Sequence, residues 1–411
     1  MPISRGSIYH NIAGDFLAVC STYLNPRTCE KPLPTERQSA QKSIANYFGS
    51  KHSILFPYAR TCFFALLQSL DLEPGSEVLL TPFNISPMLH VIYSLGLKPR
   101  FIDINLSDFG PSYIQLEEAL SQKPACFLLT YLFGSIPDLG LISDLCRSYN
   151  VPLIEDISQA IGGSFRGQAV GTFGFASIYS ASITKYVDAY NGAFILTDND
   201  ALIKRLTASA SRLIAPSKKR IRSIILKTLI WNIALSRHSF SLITFPLLRL
   251  LKLVARQAFE SLLGPSIKTD LDRPLPSFYF EDITRIQVAT MLSQLIKLKP
   301  LLRVRKQAAS LMLQAVSSQG NPLVLPESLT YTDIESSVFW QFVIFVGSTA
   351  RARNSLFAAG VETGITNLPD LSSMCGIKLE NANRLKTQFI FLPLHPHLRI
   401  GAYKQMLRVV S

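Results

Sequence analysis

The chain has 411 residues, which suggests two domains and enough apolar material for a large core. Its formal charge of +13 would ordinarily suggest nucleic-acid binding, but residues 201–259 contain twelve Lys/Arg and no Asp/Glu, so the rest of the chain is nearly neutral. Nucleic acid is therefore not the expected partner. The six cysteines form no C-x-x-C pair and lie near no histidine cluster, which predicts neither a metal site nor a disulfide framework and favours reduced cytoplasm. The first twenty residues lack an apolar run of signal-peptide length, so no secretion signal is expected.

The N-terminal third begins with an expected arm and then alternates between helices and strands. Residues 1–35 are expected to be irregular because Pro26, Pro32 and Pro34 disfavour regular structure. From Thr35 the apolar spacing predicts a helix that stops at Gly49 and leads into a strand. A further strand lies within the run PGSEVLLTPFNISP (74–87), and others lie at 96–105, 125–134 and 151–156, with helical patterns between them. This alternation predicts an α/β fold with a doubly wound, mainly parallel sheet.

The C-terminal third is expected to form a second, smaller unit. We place the large domain at 36–270, and a connecting helix and small C-terminal α/β domain at 271–411. The runs SVFWQFVIFVG and KTQFIFLPLHPHL predict strands, and RARNSLFAAG predicts a helix stopped by Gly360.

The stretch 151–200 holds three chemical groups that are needed together. The run VPLIED predicts a buried strand that ends in Asp156, and ligands of open α/β sheets bind beyond the carboxyl ends of strands. Lys185 follows a serine- and threonine-rich segment that begins as another strand. A lysine is the nucleophile required for a Schiff base, and pyridoxal 5'-phosphate (PLP) also needs an acid beside its ring nitrogen and donors for its phosphate. Taken singly, each residue is more often a cap, a turn or a surface charge.

The combined pattern resembles the PLP-dependent sugar aminotransferases of the DegT/DnrJ family. The matching motifs are E-D-x-x-Q-A, G-x-x-x-G-T-x-G and S-x-x-x-T-K, here carried by Glu155, Asp156, Gln159, Ala160, Gly167, Gly171, Thr172, Gly174, Ser180, Thr184 and Lys185. The resemblance implies the type I, aspartate aminotransferase-like fold of PLP-dependent transferases, in a homodimer.

The resemblance also implies roles for single residues. It gives Lys185 the covalent bond to the cofactor, Asp156 the pyridinium nitrogen, Gln159 a place by the ring and Ser180 the phosphate. The run YARTCFF aligns with a helix start that holds the phosphate, which adds two cofactor-binding residues, Arg60 and Thr61. The alignment puts Ile85 where the family usually stacks an aromatic ring on the cofactor, although Phe83 lies two residues away.

Two stretches depart from the family pattern. The usual T-G-E-G-G loop after the lysine is replaced by residues 189–193, with Tyr190, Asn191 and Ala193, which indicates an altered sugar pocket. The usual N-x-R, whose asparagine reaches the partner subunit's phosphate site, is replaced by Phe280, Glu281 and Asp282. Neither departure affects Lys185 or Asp156.

Residues 216–262 are interpreted as an insertion of basic amphipathic helices. Its apolar residues recur at helical spacing between basic ones, and no apolar run is long enough to cross a bilayer. Trp231 and Phe245 could anchor such helices in an anionic membrane surface. Alternatively, the apolar faces pack on the protein or on a second subunit, and the pattern alone does not separate the two.

The sequence thus predicts a cytoplasmic, homodimeric aminotransferase, with peripheral contact at the inner membrane face as an open alternative. It would transfer an amino group, from glutamate by family analogy, to a nucleotide-linked keto sugar in the synthesis of surface polysaccharide, glycan or an aminosugar. The competing hypothesis is a membrane-associated regulatory or scaffold protein that has kept the fold and lost turnover. The altered loop and the missing N-x-R support it, and the intact Lys185 and Asp156 oppose it.

Overall fold

A computed structural model describes residues 1–263, 269–271, 273–318, 336–366 and 368–410. Its strands are β1 His52–Phe56, β2 Glu77–Leu80, β3 Lys98–Phe101, β4 Cys126–Thr130, β5 Leu153–Asp156, β6 Ser164–Phe165, β7 Gln168–Ala169, β8 Ala176–Ser180, β9 Ala193–Thr197, β10 Phe342–Phe345 and β11 Phe389–Leu392. Its helices are α1 Ile12–Leu24, α2 Pro34–Phe48, α3 Ala59–Ser69, α4 Ser86–Ser94, α5 Tyr113–Ser121, α6 Leu139–Ser148, α7 Asp200–Ser211, α8 Lys218–Leu235, α9 Arg237–Ser239, α10 Phe245–Val254, α11 Arg256–Leu263, α12 Arg285–Ser317, α13 Thr349–Ala358, α14 Leu371–Met374, α15 Glu380–Gln388 and α16 Ile400–Val410.

Seven strands between residues 52 and 197 form one sheet, in the order β1-β9-β8-β5-β4-β2-β3. The pairs from β8 through β5, β4 and β2 to β3 are parallel, while β9 runs antiparallel to both β1 and β8. This confirms the predicted doubly wound, mainly parallel sheet. The carboxyl ends of β4, β5 and β8 therefore lie at one edge of the sheet.

Both faces of the sheet are covered, as expected for a mainly parallel sheet. Along β4, Phe127 and Leu129 face one core, and Cys126 and Leu128 face the other, because successive side chains of a strand point in opposite directions. Helices α2 and α12 contribute to the first core, and helices α3, α4 and α7 to the second. The chain beyond α12 adds a small unit in which β10 pairs with β11 and packs against α13 and α16.

The helix predicted from Thr35 is confirmed as α2, and the turn that ends it has the expected geometry. Gly49 follows the helix with φ +69°, a left-handed conformation in which a glycine has no Cβ penalty. The C-terminal helix is confirmed too, since α13 ends just before Gly360, whose φ is +89°. The two C-terminal strands are confirmed but are shorter than the runs that predicted them. In the second run, residues 386–388 belong to α15.

The prediction of an irregular arm over residues 1–35 was wrong. Residues 12–24 form α1, whose first turn is capped by the Asn11 side chain accepting a hydrogen bond from the Ala13 amide. The prolines that disfavoured helix in this region, at 26, 32 and 34, all lie after the last residue of α1. The error came from extending their effect backwards, whereas a proline interrupts a helix mainly at its own position and the preceding turn.

The insertion forms helices α8–α11 and a single π-helical turn, Phe240–Thr244. One face of α8 is buried, with Ile221 and Ile225 packed in a cluster that also contains Tyr190. Phe245 and Leu248 of α10 pack against Phe357 of α13 in the small domain. The insertion therefore packs on the protein itself, against Tyr190 and against α13, as one of the two sequence interpretations predicted.

Both long helices of the insertion also carry a second apolar stripe that is exposed. On α8 it consists of Leu226, Ile230 and Ile233. On α10 and the π-helical turn before it, the exposed stripe consists of Ile243, Leu247, Leu250 and Val254. These spacings of three and four residues place each set along one side of its helix. Among the described residues, no helix is both long enough and apolar enough to cross a membrane.

Candidate active site

A cavity of about 640 Å³ lies where three parallel strands end. The last residues of β4, β5 and β8 are Thr130, Asp156 and Ser180, and all three line it. Lys185, which follows β8, lines the same cavity. The sheet topology thus brings together the residues that the sequence motifs placed along some thirty positions, in the crevice where open α/β sheets bind ligands.

The carboxylate of Asp156 is buried and held by two donors. Its Oδ1 accepts the backbone N–H of Ser158 at 3.1 Å, and its Oδ2 accepts Nδ2 of Asn84 at 3.1 Å. Asn84 also donates to Oγ1 of Thr130 at 2.8 Å. Asn84 was missed in the sequence, although a polar residue shortly after strand β2 is a usable signal. These bonds fix the orientation of the carboxylate toward the cavity.

The neighbouring Glu155 has a purely structural role. It is fully buried and accepts four hydrogen bonds: from the Tyr131 hydroxyl at 2.5 Å, and from the backbone N–H groups of Gly171 (2.8 Å), Phe173 (2.8 Å) and Gly174 (2.7 Å). Burial raises the pKa of its carboxyl, and these donors act against that shift. The glycine-rich motif after β5 is therefore the binding partner of Glu155, which anchors the strand that presents Asp156.

Lys185 is partly buried, with its amine 4.3 Å from the centre of the Trp340 ring. Trp340 belongs to the small domain and donates its Nε1 hydrogen to the Thr184 carbonyl at 3.2 Å. Thr184 has φ +71°, an uncommon conformation for a β-branched residue. Desolvation lowers the pKa of Lys185 to about 8, although the charge of Asp156 raises it. An appreciable fraction of the amine is therefore neutral, and nucleophilic, near neutral pH.

Three serines form a polar wall beside the lysine. Ser180 donates from its hydroxyl to Oγ of Ser182 at 3.2 Å, and its backbone N–H donates to Oγ of Ser158 at 3.1 Å. All three line the cavity. Helix α3 begins at Ala59, which also lines it, and the first N–H groups of a helix attract anions.

Arg60, at the start of α3, supplies a cation on the same side. Its guanidinium carbon lies 4.2 Å from the ring centres of both Tyr58 and Tyr279. Its Nε is buried and has no hydrogen-bond acceptor among the described residues. Burial lowers the pKa of this guanidinium. A buried donor without an acceptor, at a helix start, fits a bound anion such as a phosphate.

Of the remaining predicted site residues, some line the cavity and others lie elsewhere. Gln159 and Ile85 line the cavity, and Oε1 of Gln159 accepts the backbone N–H of Phe133 at 2.7 Å. Thr61 is not among the described residues that line it: its hydroxyl donates to the Tyr279 carbonyl at 2.5 Å. Phe83, considered as a substitute for the stacking aromatic, is fully buried elsewhere in the core.

The stretches that depart from the family pattern occupy different places. Asn191, in the altered loop, lines the cavity, whereas Tyr190 donates to Asp15 of α1 at 2.7 Å. Asp282 forms an ion pair with Arg37. In the described part of the chain, no group of three His, Cys, Asp or Glu side chains is placed to hold a metal ion.

Comparison with solved structures defines the class of the fold. The chain aligns over its whole length, at 17% identity and a TM-score of 0.72, with a GDP-4-keto-6-deoxymannose-3-dehydratase that was solved with a trapped PLP-glutamate geminal diamine, and covers 100% of that structure. The fold is therefore the type I fold of PLP-dependent transferases, as predicted.

Comparison with sequences finds a match to one family model. Residues 33–233, just under half of the chain, match the DegT/DnrJ/EryC1/StrS aminotransferase family. Among curated relatives, a "pleiotropic regulatory protein" of Geobacillus stearothermophilus is 32% identical over 166 residues, which are 40% of this chain and 45% of the relative. GDP-perosamine synthase of Caulobacter vibrioides is 24% identical over 179 residues, 44% of this chain and 48% of the relative. The chain thus spans less than half the length of these curated relatives.

Proposed function

We propose that the chain is a PLP-dependent aminotransferase that moves an amino group from glutamate to a keto sugar. The observation that carries the proposal is the convergence of Lys185, Asp156, Ser180 and Arg60 on one cavity. When bound, PLP would supply an electron sink for the carbanion that transamination requires.

The residues divide the work by chemical type. Lys185 would hold the cofactor covalently through Nζ. Once released, the same amine would transfer the proton between the cofactor and the reacting carbon of the amino donor or of the keto acceptor. Asp156 would keep the ring nitrogen protonated, which stabilises negative charge as it develops. Arg60, Ser180 and the start of α3 would hold the phosphate. Gln159 and Ile85 would flank the ring.

The acceptor is proposed as a keto sugar because one relative is named GDP-perosamine synthase. The GDP in that name supports the nucleotide attachment that the family resemblance implies. Glutamate is proposed as the amino donor because a PLP-glutamate adduct was trapped in the structurally similar dehydratase. Products of this kind would serve surface polysaccharide, glycan or aminosugar synthesis.

The setting is also part of the proposal. We infer a cytoplasmic homodimer that touches the inner membrane face through residues 216–262. The exposed stripes on α8 and α10 support the membrane contact, because they lie within residues 201–259, which contain twelve Lys/Arg and no Asp/Glu. A second copy of the same basic surface would be repelled in a self-complementary interface, so dimerisation is assigned to another face.

The second candidate is a regulatory or scaffold protein without turnover. It has a specific observation in its favour, the relative named as a pleiotropic regulatory protein. The arrangement around Lys185 opposes it, because a lysine of lowered pKa facing a buried carboxylate has no purpose in a scaffold.

The visible absorption spectrum with added PLP separates the two candidates. The enzyme hypothesis requires an absorption band that is present in wild type, absent in Lys185→Ala, fixed by borohydride and shifted by glutamate. A spectrum that is the same for wild type and Lys185→Ala would leave the regulatory candidate. Co-sedimentation with anionic vesicles, before and after deletion of residues 216–262, tests the membrane contact, and unchanged sedimentation would remove it.

A further inference from the structure

The insertion forms part of the wall of the cavity that holds Lys185, and this wall is apolar. It contributes five residues: Trp231, Leu235, Phe240, Thr244 and Leu248. None of the twelve Lys/Arg of residues 201–259, all of which the structure describes, is among the residues that line the cavity. A segment with many cations therefore presents none of them to the ligand.

The cations that do line the cavity are largely committed to other groups. Arg305 donates to the Leu394 and Phe339 carbonyls and to the Tyr186 hydroxyl. Arg5 forms an ion pair with Glu362. In the proposed function, Arg60 and Lys185 serve the cofactor. A nucleotide diphosphate attached to the sugar would need several strong donors, which this wall does not offer.

One side chain connects the cavity with the outer surface of the insertion. Trp231 lines the cavity and is nevertheless 43% exposed. The preceding residue in the chain, Ile230, is 56% exposed and belongs to the outer apolar stripe. Helix α8 therefore carries cavity-lining residues, Trp231 and Leu235, and an exposed apolar stripe on the same few turns.

We infer that the wall formed by Trp231, Leu235, Phe240 and Leu248 is a subsite for an apolar chain, and that the acceptor is a keto sugar carried on a lipid. This inference rests on the proposed function and replaces the nucleotide attachment with a hydrophobic one. An apolar chain loses contact with water along this wall, which is the favourable term in burying hydrocarbon. A chain emerging at Trp231 would continue along the exposed stripe of α8, the surface proposed to meet the membrane.

The two tryptophans of the chain provide a direct measurement, because both Trp231 and Trp340 line the cavity. In the full-length Trp340→Phe variant, fluorescence arises from Trp231 alone. We would titrate this protein with farnesyl phosphate, decyl phosphate and UDP, all in excess inorganic phosphate to occupy simple anion sites. Farnesyl phosphate should change the Trp231 emission saturably and bind at least about tenfold more tightly than UDP. Equal affinity for decyl phosphate would indicate any lipid chain, and preference for farnesyl phosphate an isoprenoid carrier.

Two matched substitutions on α8 separate the cavity from the outer surface. Leu235→Asn changes the cavity wall and should weaken farnesyl phosphate binding about tenfold while leaving vesicle binding unchanged. Leu226→Asn makes the same change on the outer stripe and should do the reverse. Tighter binding of UDP than of farnesyl phosphate, or full farnesyl phosphate affinity in Leu235→Asn, would overturn the inference.

The glutamate reaction distinguishes this inference from the proposed function. If glutamate shifts the lysine-dependent absorption band but farnesyl phosphate does not bind, the aminotransferase remains and the lipid-linked acceptor is rejected. If the band itself is missing, the proposed function fails first. Leu226→Asn should retain the band and its response to glutamate, because Leu226 is not among the described residues that line the cavity.

Discussion

Nδ2 of Asn232 lies 2.8 Å from Oδ2 of Asp15, and this buried hydrogen bond joins the insertion to the N-terminal helix. The other oxygen of Asp15 accepts the Tyr190 hydroxyl at 2.7 Å and shares a hydrogen bond with His10, also at 2.7 Å. His10 continues to the Asp188 carbonyl at 2.8 Å. The insertion, the N-terminal helix and the loop after Lys185 are thus held by one polar network, so the insertion supports the active-site loop as well as the cavity wall.

This network should make the stability contribution of His10 depend on pH. Burial alone lowers the pKa of His10, but hydrogen bonds to Asp15 and Asp188 outweigh it and raise the pKa to about 10. Because the folded pKa exceeds the unfolded one, the stabilisation is complete below pH 6.5 and disappears as the pH rises through about 10. We expect His10→Gln to lose on the order of 2–4 kcal/mol of unfolding free energy at low pH and progressively less above neutrality.

Urea unfolding at a series of pH values measures this difference. His238→Gln, at an exposed position of the insertion, is the control and should unfold like wild type. A His10→Gln deficit that stays constant from pH 6 to pH 10 would contradict the charged network.

Lys185 should have the opposite effect on stability. Its pKa falls from 10.5 to about 8 because the amine is desolvated, so the unfolded chain binds the proton more strongly. Without cofactor, stability should therefore rise between pH 8 and pH 10.5, and Lys185→Met should be more stable than wild type below pH 8 by about 1–3 kcal/mol. That advantage should vanish above pH 10.5. Thermal unfolding of the cofactor-free proteins tests it, and Lys299→Met on exposed helix surface is the control.

Much of the site was predictable because its residues lie at the end of β5, at the end of β8 and in the segment that follows β8. Motif spacing located Asp156, Ser180 and Lys185, and the parallel sheet then brings strand ends together whatever the intervening loops do. Arg60 was assigned differently, from the alignment of YARTCFF with a helix start that holds the phosphate in the family. What the motif did not reveal is that Glu155 and Asp156 do different work.

The parts that could not be predicted depend on contacts between distant segments. Trp340 reaches Lys185 from the small domain, 155 positions away in the chain, and no local pattern specifies that approach. The packing of the insertion could not be predicted for another reason. The sequence of an amphipathic helix indicates that it has an apolar face but not what covers that face. Here α8 has two apolar sides, one buried against the protein and one exposed.

Glu155 should be more important for stability than its distance from the chemistry suggests. Glu155→Gln places an NH₂ group where two of the four donors need an acceptor, which leaves buried donors unpaired. We expect a loss of about 2–4 kcal/mol in urea unfolding, together with weaker PLP binding because the strand that carries Asp156 loses its anchor. Asp144→Asn, which removes an exposed ion pair with Arg147, should cost less than about 0.5 kcal/mol. Equal losses for the two variants would show that Glu155 is not an anchor.

Arg60 and Thr61 are adjacent in the sequence and should behave differently toward the cofactor. Arg60 faces the cavity with an unpaired Nε, so Arg60→Met should weaken PLP binding at least about tenfold through loss of a phosphate contact. Pyridoxal, which lacks the phosphate, should bind the variant and wild type equally. Thr61→Val should leave PLP affinity nearly unchanged and instead lower stability by about 1 kcal/mol, because its hydroxyl is bonded to the Tyr279 carbonyl. Absorbance titrations with the two cofactor forms measure both effects. An equal loss of PLP and pyridoxal affinity in Arg60→Met would mean that Arg60 shapes the pocket without binding the phosphate. A large loss of PLP affinity in Thr61→Val would mean that the phosphate contact is made by Thr61, one residue further along α3.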